Sequence, residues 1–182
     1  AGHLPFDDRN ALLRAMTDDV AALVLEDNRL QTLALSLAER GGSMALPSYQ
    51  RVIQTLESSG RLDRIVEGLP DDEQLRARVR DGLGLERPEL AVLLAYSKLA
   101  LQDAIEAGNF HDDPLMEPTL LAAFPAPMVE RFEPAIRAHR LNGEIVATKL
   151  ANRMINRSGI ILPFALAEEE GCALGRVAAA YA

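Results

Sequence analysis

Cysteine is nearly absent from this 182-residue chain, which carries Cys172 alone. A single thiol excludes an internal disulfide, and it provides no cysteine cluster for a structural metal site. Cysteine usage this low is typical of proteins that work in a reducing cytosol. We therefore expect a cytoplasmic protein.

Aromatic residues and long apolar runs are also scarce. Tryptophan is missing, and aromatic residues make up 4% of the chain. Few β-branched or aromatic runs of the kind that strands need are present, whereas alanine and leucine are abundant and favour helices. No apolar run reaches the length of a transmembrane helix, and residues 1–8 do not resemble a signal peptide.

Basic residues are outnumbered by acidic ones. The 19 lysines and arginines stand against 27 aspartates and glutamates, so the formal net charge is -8. Binding to the phosphate backbone of nucleic acid, or to an anionic membrane, needs a cationic surface. The composition argues against both kinds of partner.

Motifs for catalysis and cofactor binding are missing as well. Gly82-Leu83-Gly84 lacks the third glycine of a dinucleotide-binding loop and follows no predicted strand. His111-Asp112-Asp113 has metal-binding side chain types, but three consecutive loop residues do not converge on one ion, and Asp113 is better placed as a helix cap. No spacing links Cys172 to His139 as nucleophile and base. No convergent set of cationic donors for two carboxylates is evident, so we expect no catalytic, metal or cofactor site and no binding of NAD or glutamate by this chain alone.

What the sequence does contain is helical periodicity from end to end. The clearest segment is residues 86–107, where Pro88 suits the first turn and Gly108 stops the helix. Leucines and isoleucines cover one broad face of it, and Val92, Tyr96 and Leu99 form a second apolar strip. A helix that is apolar around most of its circumference is packed by others on at least two sides. The sequence predicts an all-α bundle of about ten helices around a central buried helix at 88–107.

Capping and stop signals divide the rest of the chain. Residues 1–6 look like a linker, and residues 7–182 form one helical domain with a possible soft subdivision near 108–114. We expect caps at Asp7 or Asp8, Thr17, Asp71 and Asp113, a helix start at Pro47, and a bend near Pro134. The predicted helices outside the centre span residues 7–16, 17–40, 48–59, 62–68, 71–80, 114–124, 127–139, 141–157, 162–170 and 173–181.

Two sets of polar residues interrupt otherwise apolar or solvated helix faces. Polar groups on an apolar face must find partners, either inside the domain as a buried network or across an interface with another part of a larger protein. Lys149 continues the second set at a spacing of four residues, which is also typical of a solvated face. The sequence does not distinguish between a buried network, an interface and a solvated face. The sets are Asp27, Asn28 and Gln31 in the long second helix, and Asn152, Arg153, Asn156 and Arg157 in the helix from Leu141.

Several stretches together resemble one known family. Taken in chain order, these stretches are similar to the C-terminal helical region of the large bacterial NAD-specific glutamate dehydrogenases. The resemblance covers nearly the whole chain. The segment 87–98 is the most specific because it is long and continuous. The stretches are residues 9–13 with 16–21, 27–28 with 31–32, 60–64, 87–98, and 139–157.

The resemblance implies a role as a domain of a larger enzyme. That family oxidatively deaminates L-glutamate to 2-oxoglutarate and ammonia with NAD as hydride acceptor, and its catalytic and NAD-binding parts precede this region. No catalytic residue of the family has a matching position here. The resemblance therefore implies a non-catalytic helical domain with no cofactor of its own, which packs on the catalytic core or between the subunits of a homo-oligomer.

Two other hypotheses compete with this one. The chain begins without methionine and ends without a tail, so we expect it to be a piece of a longer protein. A free-standing helical interaction module is the main alternative, and the length of the natural reading frame distinguishes the two. A small enzyme built on Cys172 and His139 ranks last.

Overall fold

The computed structural model describes residues 4–108 and 113–182, and within these ranges the chain forms ten α-helices and no strand. The predicted all-α fold is therefore confirmed for the described residues. The helices are α1 (Phe6–Ala15), α2 (Thr17–Glu39), α3 (Gly42–Ser58), α4 (Asp72–Arg80), α5 (Arg87–Ala107), α6 (Glu117–Leu121), α7 (Ala126–Arg137), α8 (Asn142–Ser158), α9 (Ile161–Glu169) and α10 (Leu174–Tyr181), with a 3-10 turn at Pro114–Met116 before α6.

The α5 helix lies at the centre of the bundle, as the sequence predicts. It packs along α8 and also contacts α2, α3 and α10. Leu93 and Leu101 are completely covered, which places the main apolar face in the core. The second apolar strip is covered less than expected, because Val92 and Tyr96 are only half-buried and Leu99 is 52% exposed.

Hydrogen bonds fix the beginning of α5. The backbone N–H of Glu86 donates to Glu89 Oε2 at 2.6 Å, which satisfies a donor at the helix start. Arg78 of α4 donates to both carboxylate oxygens of Glu89 at 2.6 and 2.8 Å. Glu89 therefore joins α4 to the central helix while it caps the latter.

Glycine allows a close approach between two turns beside α5. A Cβ on Gly84 would lie 3.0 Å from Gly42 Cα, so the loop before α5 and the turn after α2 touch through their backbones. Gly42 has a positive φ of 51°, which is the conformation that turns the chain from α2 into α3. The turn between α2 and α3 therefore lies directly against the loop between α4 and α5.

Two predicted caps are wrong. Helix α1 begins at Phe6 after Pro5, so Phe6 belongs to the helix and not to a linker, and Asp7 and Asp8 lie in the first turn, where their charges face the positive helix end. Thr17 is the first residue of α2, and its hydroxyl donates to the Leu13 carbonyl at 3.0 Å.

Two predicted boundaries also need correction. Helix α3 begins at Gly42, and Pro47 lies inside it. Residues 64–68 form a hydrogen-bonded turn that ends at Gly68, in place of the helix predicted at 62–68. There the Asp63 carboxylate accepts from the N–H groups of Ile65 and Val66 at 3.0 and 3.2 Å, and this local bonding replaces a helix.

Other sequence signals are confirmed. Asp71 caps α4 in a reciprocal pair with Gln74, the helix from Ala126 is kinked at Phe132 near Pro134, and Gly159 ends α8. The segment after Asp113 is shorter than predicted, because α6 stops at Leu121. Residues 109–112 of the possible soft subdivision lie outside the described ranges.

Candidate functional site

A groove with a volume of about 300 Å³ lies between α2, α6 and α8. The apolar wall of the groove comes from α2, from α6 and from Ala122, which follows α6. Its polar wall comes mainly from α8. The lining residues are Asp27 and Leu30 from α2; Pro118, Thr119 and Ala122 from the α6 segment; and Lys149, Asn152, Arg153, Asn156 and Arg157 from α8.

Helical spacing explains how α8 supplies five polar side chains to one wall. Lys149, Arg153 and Arg157 recur every four residues, and Asn152 and Asn156 stand one position before the two arginines, so all five share one stripe. The opposite face of α8 is apolar and buried against α5, which fixes the rotation of the helix. The polar stripe must therefore face α2 and α6.

The structure brings together five of the seven polar residues that the sequence singles out. Asp27 on α2 lies in the same groove as Asn152, Arg153, Asn156 and Arg157 on α8. Asn28 is exposed on α2, and Gln31 is half-buried, but neither lines the groove. Whether the set forms an interface or an internal network stays a prediction.

Two buried polar atoms beside this groove have no hydrogen-bond partner. They are Asn156 Oδ1, on a residue that lines the groove, and Lys98 Nζ, which reaches from the central helix toward Asp27. Buried polar side-chain atoms usually have at least one partner. Among the described residues, these two atoms have no hydrogen-bond partner inside the domain.

Burial lowers the pKa of the Lys98 amine to about 8, and the nearby Asp27 carboxylate opposes that shift. Loss of water around the charged amine outweighs the attraction to Asp27. Lys98 is not recognisable from the sequence, because a lysine among the polar positions of a helix is usually solvated. Lys98 and Lys149 are the two lysines of the chain.

The groove contradicts one expectation from the sequence. No convergent set of cationic donors was expected, yet Lys149, Arg153 and Arg157 line one small groove. The convergence depends on how α8 packs against α2 and α6. Sequence spacing alone shows the row of charges but not the wall that faces it.

The other candidates from the sequence do not form a site. Cys172 lies in a separate groove of about 450 Å³ between α3 and α9, where Arg51 pairs with Glu168 at 3.4 Å. His139 packs against Phe124, and its Nδ1 accepts from the Leu141 N–H at 3.1 Å. The two side chains thus lie in different parts of the fold.

Asp113 acts as a cap. Its carboxylate accepts from the Leu115 N–H at 2.9 Å at the start of the 3-10 turn. His111 and Asp112 lie outside the described residues. Within residues 4–108 and 113–182, no three histidine, cysteine, aspartate or glutamate side chains are grouped so that they could hold a metal ion. Over the same ranges, no helix is long and apolar enough to cross a membrane.

Comparison with known proteins identifies the family. The family described as glutamate dehydrogenase, C-terminal, matches residues 82–182, which include α5, α8 and the α8 wall of the groove. The chain belongs to the glutamate dehydrogenase C-terminal family.

Relatives extend this glutamate dehydrogenase likeness to the α1–α4 region. The chain is 44% identical over 181 residues to the NAD-specific glutamate dehydrogenase of Pseudomonas aeruginosa, and 39% identical over 180 residues to that of Halomonas elongata. A relative with the same name from Mycobacterium tuberculosis is 37% identical over 171 residues. These matches cover 94 to 100% of this chain but only 10 to 11% of each relative.

Proposed function

We propose that this chain serves as a non-catalytic C-terminal helical domain of an NAD-dependent glutamate dehydrogenase. The parent enzyme would oxidatively deaminate L-glutamate to 2-oxoglutarate and ammonia, with NAD bound elsewhere in the protein. The observation that supports this most directly is the match to NAD-specific glutamate dehydrogenases along the whole chain, at about one tenth of their length. We also propose that the parent enzyme is cytoplasmic and forms a homo-oligomer.

An uncovered stripe on α2 supports a packing role for the domain. In the C-terminal half of α2, the side that carries Ala34 faces the core. The same side continues toward the N-terminus at Val20, Leu23 and Val24. These three residues are 42%, 37% and 54% exposed, and no described residue completes their burial.

This stripe is a natural place for the rest of the enzyme to dock. Apolar side chains in register with a buried helix face gain free energy when a neighbour covers them. We infer that the stripe, defined as Val20, Leu23 and Val24, contacts the preceding part of the same polypeptide or another subunit. A free-standing interaction module is the alternative function, with an unrelated partner on the same stripe.

The test places a charge on the stripe of the full-length enzyme. Val24→Glu should leave the melting temperature of the 182-residue chain nearly unchanged, because Val24 is half exposed there. In the full-length enzyme it should lower the fraction of assembled particles, measured by mass photometry, or reduce turnover. Val79→Glu is the matched control, since Val79 is 45% exposed on α4 and lies away from the stripe.

Equal effects of Val24→Glu and Val79→Glu on assembly and turnover would remove the stripe from the interface. Natural protein of the length of this chain alone, found by immunoblot with an antibody against it, would favour the free-standing module.

A further inference from the structure

The α8 wall of the groove concentrates positive charge in a protein whose formal net charge is -8. Lys149, Arg153 and Arg157 line it, and Asp27 is the one acidic residue among its lining residues. A concave surface with an excess of positive charge, bounded by apolar walls, focuses the electrostatic potential and attracts anions.

About half of the arginines form ion pairs in the described residues, and the cations of the groove do not. Arg64, Arg78, Arg87 and Arg137 each pair with a carboxylate within the structure. Within the described residues, Lys149, Arg153 and Arg157 have no such pair, although acidic residues outnumber basic ones in the chain. Within the described part of the chain, no carboxylate neutralises these three charges at ion-pair distance.

The side-chain amides of Asn152 and Asn156 can add neutral N–H donors beside the arginines. Asn156 Oδ1 is buried without a hydrogen bond, and Asn152 and Asn156 flank the arginines on the same wall. Rotation of a side-chain amide by 180° exchanges its oxygen and nitrogen positions, so the same site can present N–H donors to an anion. Leu30, Pro118 and Ala122 form an apolar wall that would shield such bonds from water.

We propose that the groove between α2, α6 and α8 binds a compact anionic ligand through a carboxylate or phosphate group. Arg153 and Arg157 donate to its oxygens, Lys149 adds charge at one end, and the asparagine amides and the Thr119 hydroxyl complete the contacts. A volume of about 300 Å³ suits a small metabolite. All the residues proposed to bind the ligand belong to this chain.

The experiment uses the 182-residue chain, whose helices enclose one continuous apolar core. Succinate, as a dicarboxylate, and pyrophosphate, as a phosphate, are titrated separately at constant ionic strength. Chemical shifts of the side-chain amides are followed by NMR, and affinities by calorimetry. Asn152 and Asn156 should shift in a saturable way with at least one anion, whereas the exposed amide of Asn28 should not.

Arginine variants test whether the proposed wall carries the affinity. Arg153→Gln combined with Arg157→Gln should raise the Kd by at least about tenfold. Arg76→Gln combined with Arg80→Gln should leave it within about twofold, because these two exposed arginines of α4 have the same spacing and lie outside the groove. If the double groove variant fails to fold, Lys149→Gln and the wild-type amide shifts still decide the question.

The two anions distinguish carboxylate from phosphate as the preferred group. Saturation by succinate alone assigns a carboxylate ligand, and saturation by pyrophosphate alone assigns a phosphate ligand. Saturation by neither anion, or equal loss of affinity in the α4 and α8 variants, would overturn the proposal. In that case the groove cations would be assigned to a solvated helix face.

Discussion

Lys98 is the residue whose environment departs furthest from what its chemistry prefers. It is one of two lysines in the chain, and its amine is buried beside Asp27 without a hydrogen bond. Its pKa is about 8 in the folded protein against an ordinary value of 10.5. Between these two pH values the unfolded chain binds more protons than the folded one, so the free energy of unfolding rises with pH across that window. Below pH 8 both states are charged and Lys98 destabilises the fold fully.

We therefore predict that Lys98→Met stabilises the domain at pH 7. Methionine fills a similar volume without a charge that needs solvation, and the gain should be about 1 to 3 kcal/mol. The gain should shrink as the pH rises from 8 toward 10.5, because the wild-type amine then loses its proton. Urea unfolding at a series of pH values measures both effects.

Lys149→Met is the control for Lys98. Its amine is not among the buried unpartnered atoms, so its replacement should give no comparable stabilisation. A Lys98→Met variant that is no more stable than the wild type at pH 7, or whose gain does not change with pH, would show that the amine is solvated.

At the scale of single helices, α5 determines the arrangement of the bundle. Leu93 is fully covered, whereas Leu99, six residues later on the same helix, is 52% exposed. We predict that Leu93→Asp costs several kcal/mol of stability, comparable to the total stability of a domain, because the carboxylate would be buried without a partner. Leu99→Asp should cost far less. Thermal unfolding followed by far-UV circular dichroism compares the two, and similar melting temperatures would contradict the buried centre.

The helices that sequence predicts well are those whose local signals agree. Residues 86–107 combine a capping glutamate, a first-turn proline and a continuous apolar face, and α5 begins and ends close to the predicted positions. Residues 62–68 have apolar spacing too, but the Asp63 carboxylate bonds the next backbone N–H groups and Gly68 turns the chain away. Pro47 was a misleading start signal, because α3 already begins at the Gly42 turn.

The groove is only partly predictable for a similar reason. Polar residues on apolar faces pointed to Asp27 and to the α8 row, since such groups need partners wherever they are placed. Their convergence is a property of how α2 packs beside α8, which no local pattern encodes. Lys98 was missed because burial of its amine depends on the same packing.

At the scale of the whole molecule, the domain has one core and two surfaces with unused binding capacity. The α2 stripe is apolar and suits a protein neighbour, whereas the groove is cationic and suits a small anion. The stripe is tested by assembly and turnover, and the groove by anion binding. One proposal can therefore be wrong while the other is right. Both fit a domain that accounts for about one tenth of the length of the relatives it matches.

The central claim is that this chain is a non-catalytic domain held within a larger NAD-dependent glutamate dehydrogenase. Electron cryomicroscopy of the full-length enzyme with NAD bound tests it most directly. We predict that Val20, Leu23 and Val24 are covered by another part of the assembly, and that NAD lies in a cleft to which these ten helices contribute no catalytic side chain. A map with NAD held among α1–α10, or with the α2 stripe fully open to solvent, would contradict the account.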